Sequence, residues 1–119
     1  MPHIPDKWYA FAVAQTYYEE LISAGVQIYE YTPGFVHAKV FVSDNDTATV
    51  GTINLDYRSL YHHFECGTFI YNNPVVWEIE RDFQNTLKTS QKITMLDVKE
   101  RRIGMKMVGS VLRLIAPLM

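Results

Sequence analysis

The residues best equipped for chemistry lie between His37 and Asn54. His37 and Lys39 are two apart, and Asp44, Gly51, Thr52 and Asn54 follow, so the stretch reads H-x-K-x4-D-x6-G-T-x-N. On a strand running from Phe35 to Val42, His37 and Lys39 share one face and Ala38, Val40 and Val42 take the other. An imidazole then stands beside an ammonium. Thr52 and Asn54, two apart at the end of the neighbouring strand or just after it, add a hydroxyl and an amide. One nucleophile or proton carrier, one fixed positive charge and two neutral donors for phosphate oxygens make a phosphoryl-transfer inventory, and it calls for no metal or cofactor. Asp44, at an odd offset from His37, is expected to cap a turn or join an ion pair rather than share the histidine's face.

These side chains need a scaffold. Apolar residues at three- and four-residue spacings predict a helix over about Ala10 to Ala24, ended by Gly25. Val26 to Tyr31 reads as a strand with Val26, Ile28 and Glu30 on one face and Gln27, Tyr29 and Tyr31 on the other, and Pro33-Gly34 turns the chain. The Phe35–Val42 strand, the Ser43-Asp44-Asn45-Asp46 turn and a strand from Thr47 to Val50 form a hairpin. Phe64 to Tyr71 is a further strand. Pro74 opens a helix from Val75 to about Leu87, with Trp77, Ile79, Phe83 and Leu87 offered for burial. Ile103, Met107, Val111 and Leu114 align on a last, basic amphipathic helix, which Gly104 and Gly109 weaken. The expected class is α/β of the α+β kind: a mixed β-sheet flanked by helices.

With 119 residues, 48% of them hydrophobic and 20% charged, the chain holds one core-bearing domain and is not disordered. Its net charge of -2 argues against a generally basic nucleic-acid binder. That total conceals a division. Lys99, Arg101, Arg102, Lys106 and Arg113 face one acid, Glu100, so residues 99–119 carry +4 and residues 1–98 carry -6. Cys66 is a lone cysteine, no zinc-ligand spacing occurs, and no apolar run reaches the ~20 residues of a spanning helix. His62 and His63, adjacent in sequence, are expected to be ordinary loop or surface residues.

The pattern from His37 to Asn54 resembles the signature of the phospholipase D superfamily. Ile28-Tyr29-Glu30-Tyr31-Thr32-Pro33-Gly34-Phe35 before it, Asn54-Leu55-Asp56-Tyr57-Arg58-Ser59 after it and the ending Leu114-Ile115-Ala116-Pro117-Leu118 are similar to the second catalytic half of bacterial cardiolipin synthases. The resemblance implies a two-step phosphatidyl transfer through a phosphohistidine, from one phosphatidylglycerol to a second, giving cardiolipin and glycerol. It implies that His37 is the nucleophile or the acid, that Lys39, Thr52 and Asn54 hold phosphate, and that Glu65 accepts a hydrogen bond from a catalytic imidazole. Asp56 and Arg58 would hold the loop beside the site, with Asp44 and Gly51 structural.

The family carries two such motifs and this sequence has one, since His3, His62 and His63 lack a lysine two residues on. The chain is therefore expected to be an N-terminally truncated phospholipase D-like half, residues 1–119, with a basic amphipathic tail over about 99–119. Its partners would be the first motif-bearing half or a homodimer mate, anionic phospholipid and a membrane surface, with no nucleic acid. The parent would sit at the bacterial cytoplasmic membrane, and the fragment alone would be soluble. The alternatives are a noncatalytic dimerising fragment and a single-motif phosphodiesterase or nuclease active as a homodimer.

Overall fold

In a computed structural model, which describes residues 1–100 and 103–116, the elements in chain order are α1 (Trp8–Thr16), α2 (Tyr18–Ser23), β1 (Ile28–Tyr31), β2 (Lys39–Ser43), β3 (Thr47–Gly51), a π-helical turn (Arg58–His62), β4 (Gly67–Tyr71), α3 (Val75–Lys88), β5 (Ser90–Ile93), α4 (Met95–Glu100) and α5 (Ile103–Ile115). The α+β class is as expected. The strands are distributed over two antiparallel sheets, β1-β5 and β2-β3-β4. Arg101, Arg102 and residues 117–119 of the basic tail lie outside the described residues.

The chain divides into two compact units, one formed by residues 1–35 with the stretch from Ser90 onward, the other by Val36–Thr89. In the first, alternation on β1 turns Ile28 and Glu30 inward. Ile28 packs with Tyr18, Ile93 and Val98 in one buried cluster. The Glu30 carboxylate inside this unit accepts hydrogen bonds from the Tyr18 hydroxyl at 3.1 Å and pairs with His3 Nδ1 at 2.9 Å. The N-terminal residues run parallel to β1, with the Met1 ammonium donating to the Tyr29 carbonyl at 2.8 Å. Burial pushes that amine below its ordinary value, and the Glu30 carboxylate opposes the shift.

The single helix expected from Ala10 to Ala24 is broken at Tyr17, whose N–H bonds back to Ala14. Neither β5 nor α4 was expected. β5 is a strand because β1 offers it an edge, from Ile28↔Ile93 to Tyr31↔Ser90. α4 is opened by Thr94 and Asp97, where the Thr94 N–H and hydroxyl both donate to the Asp97 carboxylate at 2.7 and 2.6 Å.

In the second unit β3 is central and registers Lys39↔Gly51 on one side and Gly51↔Gly67 on the other. α3 packs on β2 and β3, and its Val76 and the strand residue Ala48 are buried. That contact takes the face of Val40, Val42, Ala48 and Ile70. The opposite face, with Lys39, Phe41, Thr49, Phe69 and Tyr71, is open. The burial expected of Trp77 and Phe83 on α3 is not observed, since both are exposed and Val76 fills the position instead.

Candidate functional site

Every sequence-predicted site residue falls within the second unit. The strand expected from Phe35 begins only at Lys39, so His37 stands just before β2 and not on it. The reason is the partner: β3 pairs Gly51 with Lys39 and then leaves the ladder, so residues 35–38 have no register partner on β3. β4 is shortened likewise, from the expected Phe64 start to Gly67, which is Gly51's other register partner.

His37 and Lys39 are nonetheless in contact. The Lys39 ammonium donates to His37 Nδ1 at 2.8 Å and to the His37 carbonyl at 2.7 Å. An ammonium can only donate, so Nδ1 is the acceptor in this contact. The row Lys39–Gly51–Gly67 carries no side chain beside the lysine on the open face. A Cβ at Gly51 would collide with the Cys66 carbonyl oxygen and come within 2.6 Å of Gly67 Cα, so that bare row is a packing requirement of the sheet.

Beyond Gly51 the chain is fastened across to the segment before β4. Thr52 N–H bonds to the Cys66 carbonyl at 2.9 Å, and the Thr52 hydroxyl accepts from Cys66 N–H at 3.1 Å and donates to the Glu65 carboxylate. Glu65 thus meets the threonine of the G-T-x-N stretch. Asn54 donates through Nδ2 to the buried Ser59 hydroxyl at 3.3 Å, and Asp56 accepts the Ser59 N–H at 2.7 Å, capping the π-helical turn. Arg58 donates through Nε to His63 Nε2 at 2.8 Å. Asp56 and Arg58 thereby brace the loop by hydrogen bonds and do not pair with each other. His62 and His63 are exposed.

Asp44 lies in the hairpin turn, where it and Asn45 take φ of 52° and 59°, the positive values that match a primed turn to the strand twist. Its carboxylate accepts from the Ser43 hydroxyl at 2.9 Å. Ser59 was not singled out in the sequence as a site residue. The D-x-x-S spacing from Asp56, which puts a backbone N–H in reach of a carboxylate three residues earlier, is the signal for it. Among the described residues no group of three or more His, Cys, Asp or Glu side chains is placed to hold a metal ion.

The arrangement resolves into two clusters: the His37–Lys39 couple before and at the start of β2, and a braced loop in which Thr52 is tied to Glu65 and Asn54 to Ser59.

A family model described as cardiolipin synthase, PLD-like domain, matches residues 2–87. An uncharacterized protein of Streptococcus mutans serotype c is 54% identical over 119 residues, covering 100% of this chain and 26% of that protein. Cardiolipin synthase 2 of Bacillus anthracis is 40% identical over 119 residues, covering 100% and 23%. A cardiolipin synthase of Geobacillus sp. (strain WCH70) is 37% identical over 118 residues, covering 99% and 24%. The chain thus spans about a quarter of the length of these relatives. No solved structure matches.

Proposed function

The chain belongs to the cardiolipin synthase family of phospholipase D-like domains, and on that footing we propose that it is one half of a two-motif site that transfers a phosphatidyl group between phosphatidylglycerol molecules. The observation that carries this reading is the contact between the His37 imidazole and the Lys39 ammonium at the head of the H-x-K-x4-D-x6-G-T-x-N stretch.

In the first step an imidazole nitrogen attacks the phosphorus of phosphatidylglycerol. A P–N bond forms, the P–O bond to glycerol breaks, and the histidine of the second motif supplies the proton that glycerol takes away. In the second step the hydroxyl of another phosphatidylglycerol attacks the phosphohistidine, its proton returns to the second histidine, and cardiolipin leaves. His37 fills one of these two roles. Lys39, drawn from Nδ1 by the substrate's negative charge, neutralises the phosphate oxygens, and Asn54 and Thr52 add neutral donors. Glu65 is the carboxylate that receives Nδ1–H once Lys39 has moved, fixing the tautomer with a nucleophilic Nε2.

The second motif comes from another half, either in the same polypeptide or in a homodimer mate. The open sheet face around Lys39, with Phe41, Phe69 and Tyr71 exposed, is the side on which that half is proposed to meet it. The lipid substrate places the enzyme at the bacterial cytoplasmic membrane. The deciding experiment is His37→Ala in the full-length protein, assayed for cardiolipin from phosphatidylglycerol. Loss of product with the fold retained supports the reading, and undiminished turnover overturns it. A homodimeric site additionally requires the two His37 rings within ~6 to 8 Å, since reacting atoms stand at ~3 to 3.5 Å on either side of phosphorus.

A further inference from the structure

Within the first unit, α5 has two dissimilar sides. One packs on α1. Gly109 is buried there, and a Cβ on it would stand 2.8 Å from the Ala12 carbonyl oxygen and 2.8 Å from Thr16 Cγ2. One turn later the Arg113 guanidinium lies over the Tyr17 ring at 4.0 Å and reaches the Glu20 carboxylate at 3.6 Å. The other side carries Met107, Val111 and Leu114, which are 66%, 66% and 82% exposed. Their four- and three-residue spacing makes one continuous stripe. The apolar face that the sequence offers for burial is therefore left outside, while a glycine seats the helix.

We propose that this stripe docks on an anionic phospholipid surface, with α5 lying in the interface plane and Met107, Val111 and Leu114 against the acyl chains. Charge selects the occupant. The stretch from Lys99 onward carries +4 and the remainder of the chain -6, and α5 itself contains no acid. Basic residues on a helix with an apolar stripe are the composition of an interfacial helix, which cations near an anionic leaflet hold to the surface. A second copy presenting the same face would instead set +4 against +4. With 13 residues α5 is shorter than the ~20 needed to span, and no described helix is long and apolar enough to cross a membrane.

The choice of lipid rests on the phosphatidyl-transfer reading, whereas the exposed stripe does not, and the experiment separates the two. The 119-residue chain is floated with vesicles of equal parts phosphatidylglycerol and phosphatidylcholine, and with phosphatidylcholine alone. The expected result is recovery with the anionic vesicles, falling at least about tenfold in Met107→Ser/Val111→Ser/Leu114→Ser with the far-ultraviolet spectrum unchanged. His37→Ala should float like the unaltered chain, whatever its effect on turnover. Should the triple variant misfold, Val111→Cys in a Cys66→Ser background carries a polarity-sensitive dye, whose emission should shift to the blue with anionic vesicles. Equal flotation of the triple variant, equal binding to neutral vesicles, an unshifted dye, or self-association through the stripe without vesicle binding would each overturn the proposal.

Discussion

The unit built on β1 and β5 and the unit built on β2, β3 and β4 use burial in opposite ways. The first packs Tyr18, Ile28, Ile93 and Val98 together and holds the carboxylate of Glu30 beside them. In the second, the described buried residues are Ala48, Ser59 and Val76, and Leu55, Phe64, Phe69, Tyr71 and Trp77 stay exposed. The first can bury a charge because Tyr18 and His3 answer it. The second buries no described charged side chain and organises its polar groups by hydrogen bonds, Thr52 with Glu65 and Asn54 with the buried Ser59. Side chains that are to meet a lipid phosphate, as proposed, cannot be sealed inside; the proposed site accordingly falls in the unit with the thinner core, and the open aromatic face offers area for the half proposed to complete it.

The sharpest way to break this contrast is His37→Ala in the full-length protein. Activity should fall by at least about a thousandfold, as expected for loss of a nucleophile or its acid partner. The melting midpoint should barely move, because the ring is exposed. A large loss of stability would mean that His37 supports the fold instead. Next comes Gly51→Ala, which forces a Cβ onto the Cys66 carbonyl. It should destabilise the second unit by about 3 kcal/mol, read by chemical denaturation. Hydrogen exchange should show the opening confined to β3, β4 and the loop between them, leaving β1 protected.

Tyr18→Phe probes the other side of the contrast. It removes the donor to Glu30 from a buried site and should cost about 1.5 kcal/mol, with the β2–β3 hairpin unaffected. A neutral outcome would show that Glu30 needs no answer from Tyr18. The smallest effect concerns the Met1 amine. Because burial lowers its folded value below the ordinary 8.0, the unfolded chain binds more protons between the two values. Stability of the 119-residue chain should therefore rise with pH through that window and level off above 8.0. Acetylating the amine should flatten the curve, whereas a fall in stability through the window would reverse the assignment.

Several elements are legible in the sequence. The hairpin around Ser43–Asp46, the helix after Pro74 and the shared face of Ile28 and Glu30 all follow local rules, turn chemistry in two cases and period-two alternation in the third; that this face is the buried one from Ile28 on, with Val26 left exposed, is decided by packing. What failed to read correctly depended on a partner. Phe35–Ala38 has strand-like composition but no ladder to join, whereas Ser90–Ile93 looks unremarkable and is a strand because β1 lies beside it. Trp77 and Phe83 were offered for burial by size and spacing, yet α3 turns Val76 to the sheet. Among the site residues, the closeness of His37 and Lys39 was foreseeable from their separation. The tie between Thr52 and Glu65 was not, because it depends on the β3–β4 register.

By itself the sequence determined the chemical inventory, its spacing and the family to which the chain belongs, since those depend only on residue order. It also determined the split between an acidic body and a basic end. Tertiary structure decided where each hydrogen bond goes and which apolar faces are covered, because both depend on which segments lie side by side. Gly109 illustrates the division. In sequence it is a weak point in a helix, costing ~1 kcal/mol; in the fold it is where α5 seats against α1, turning Met107, Val111 and Leu114 outward.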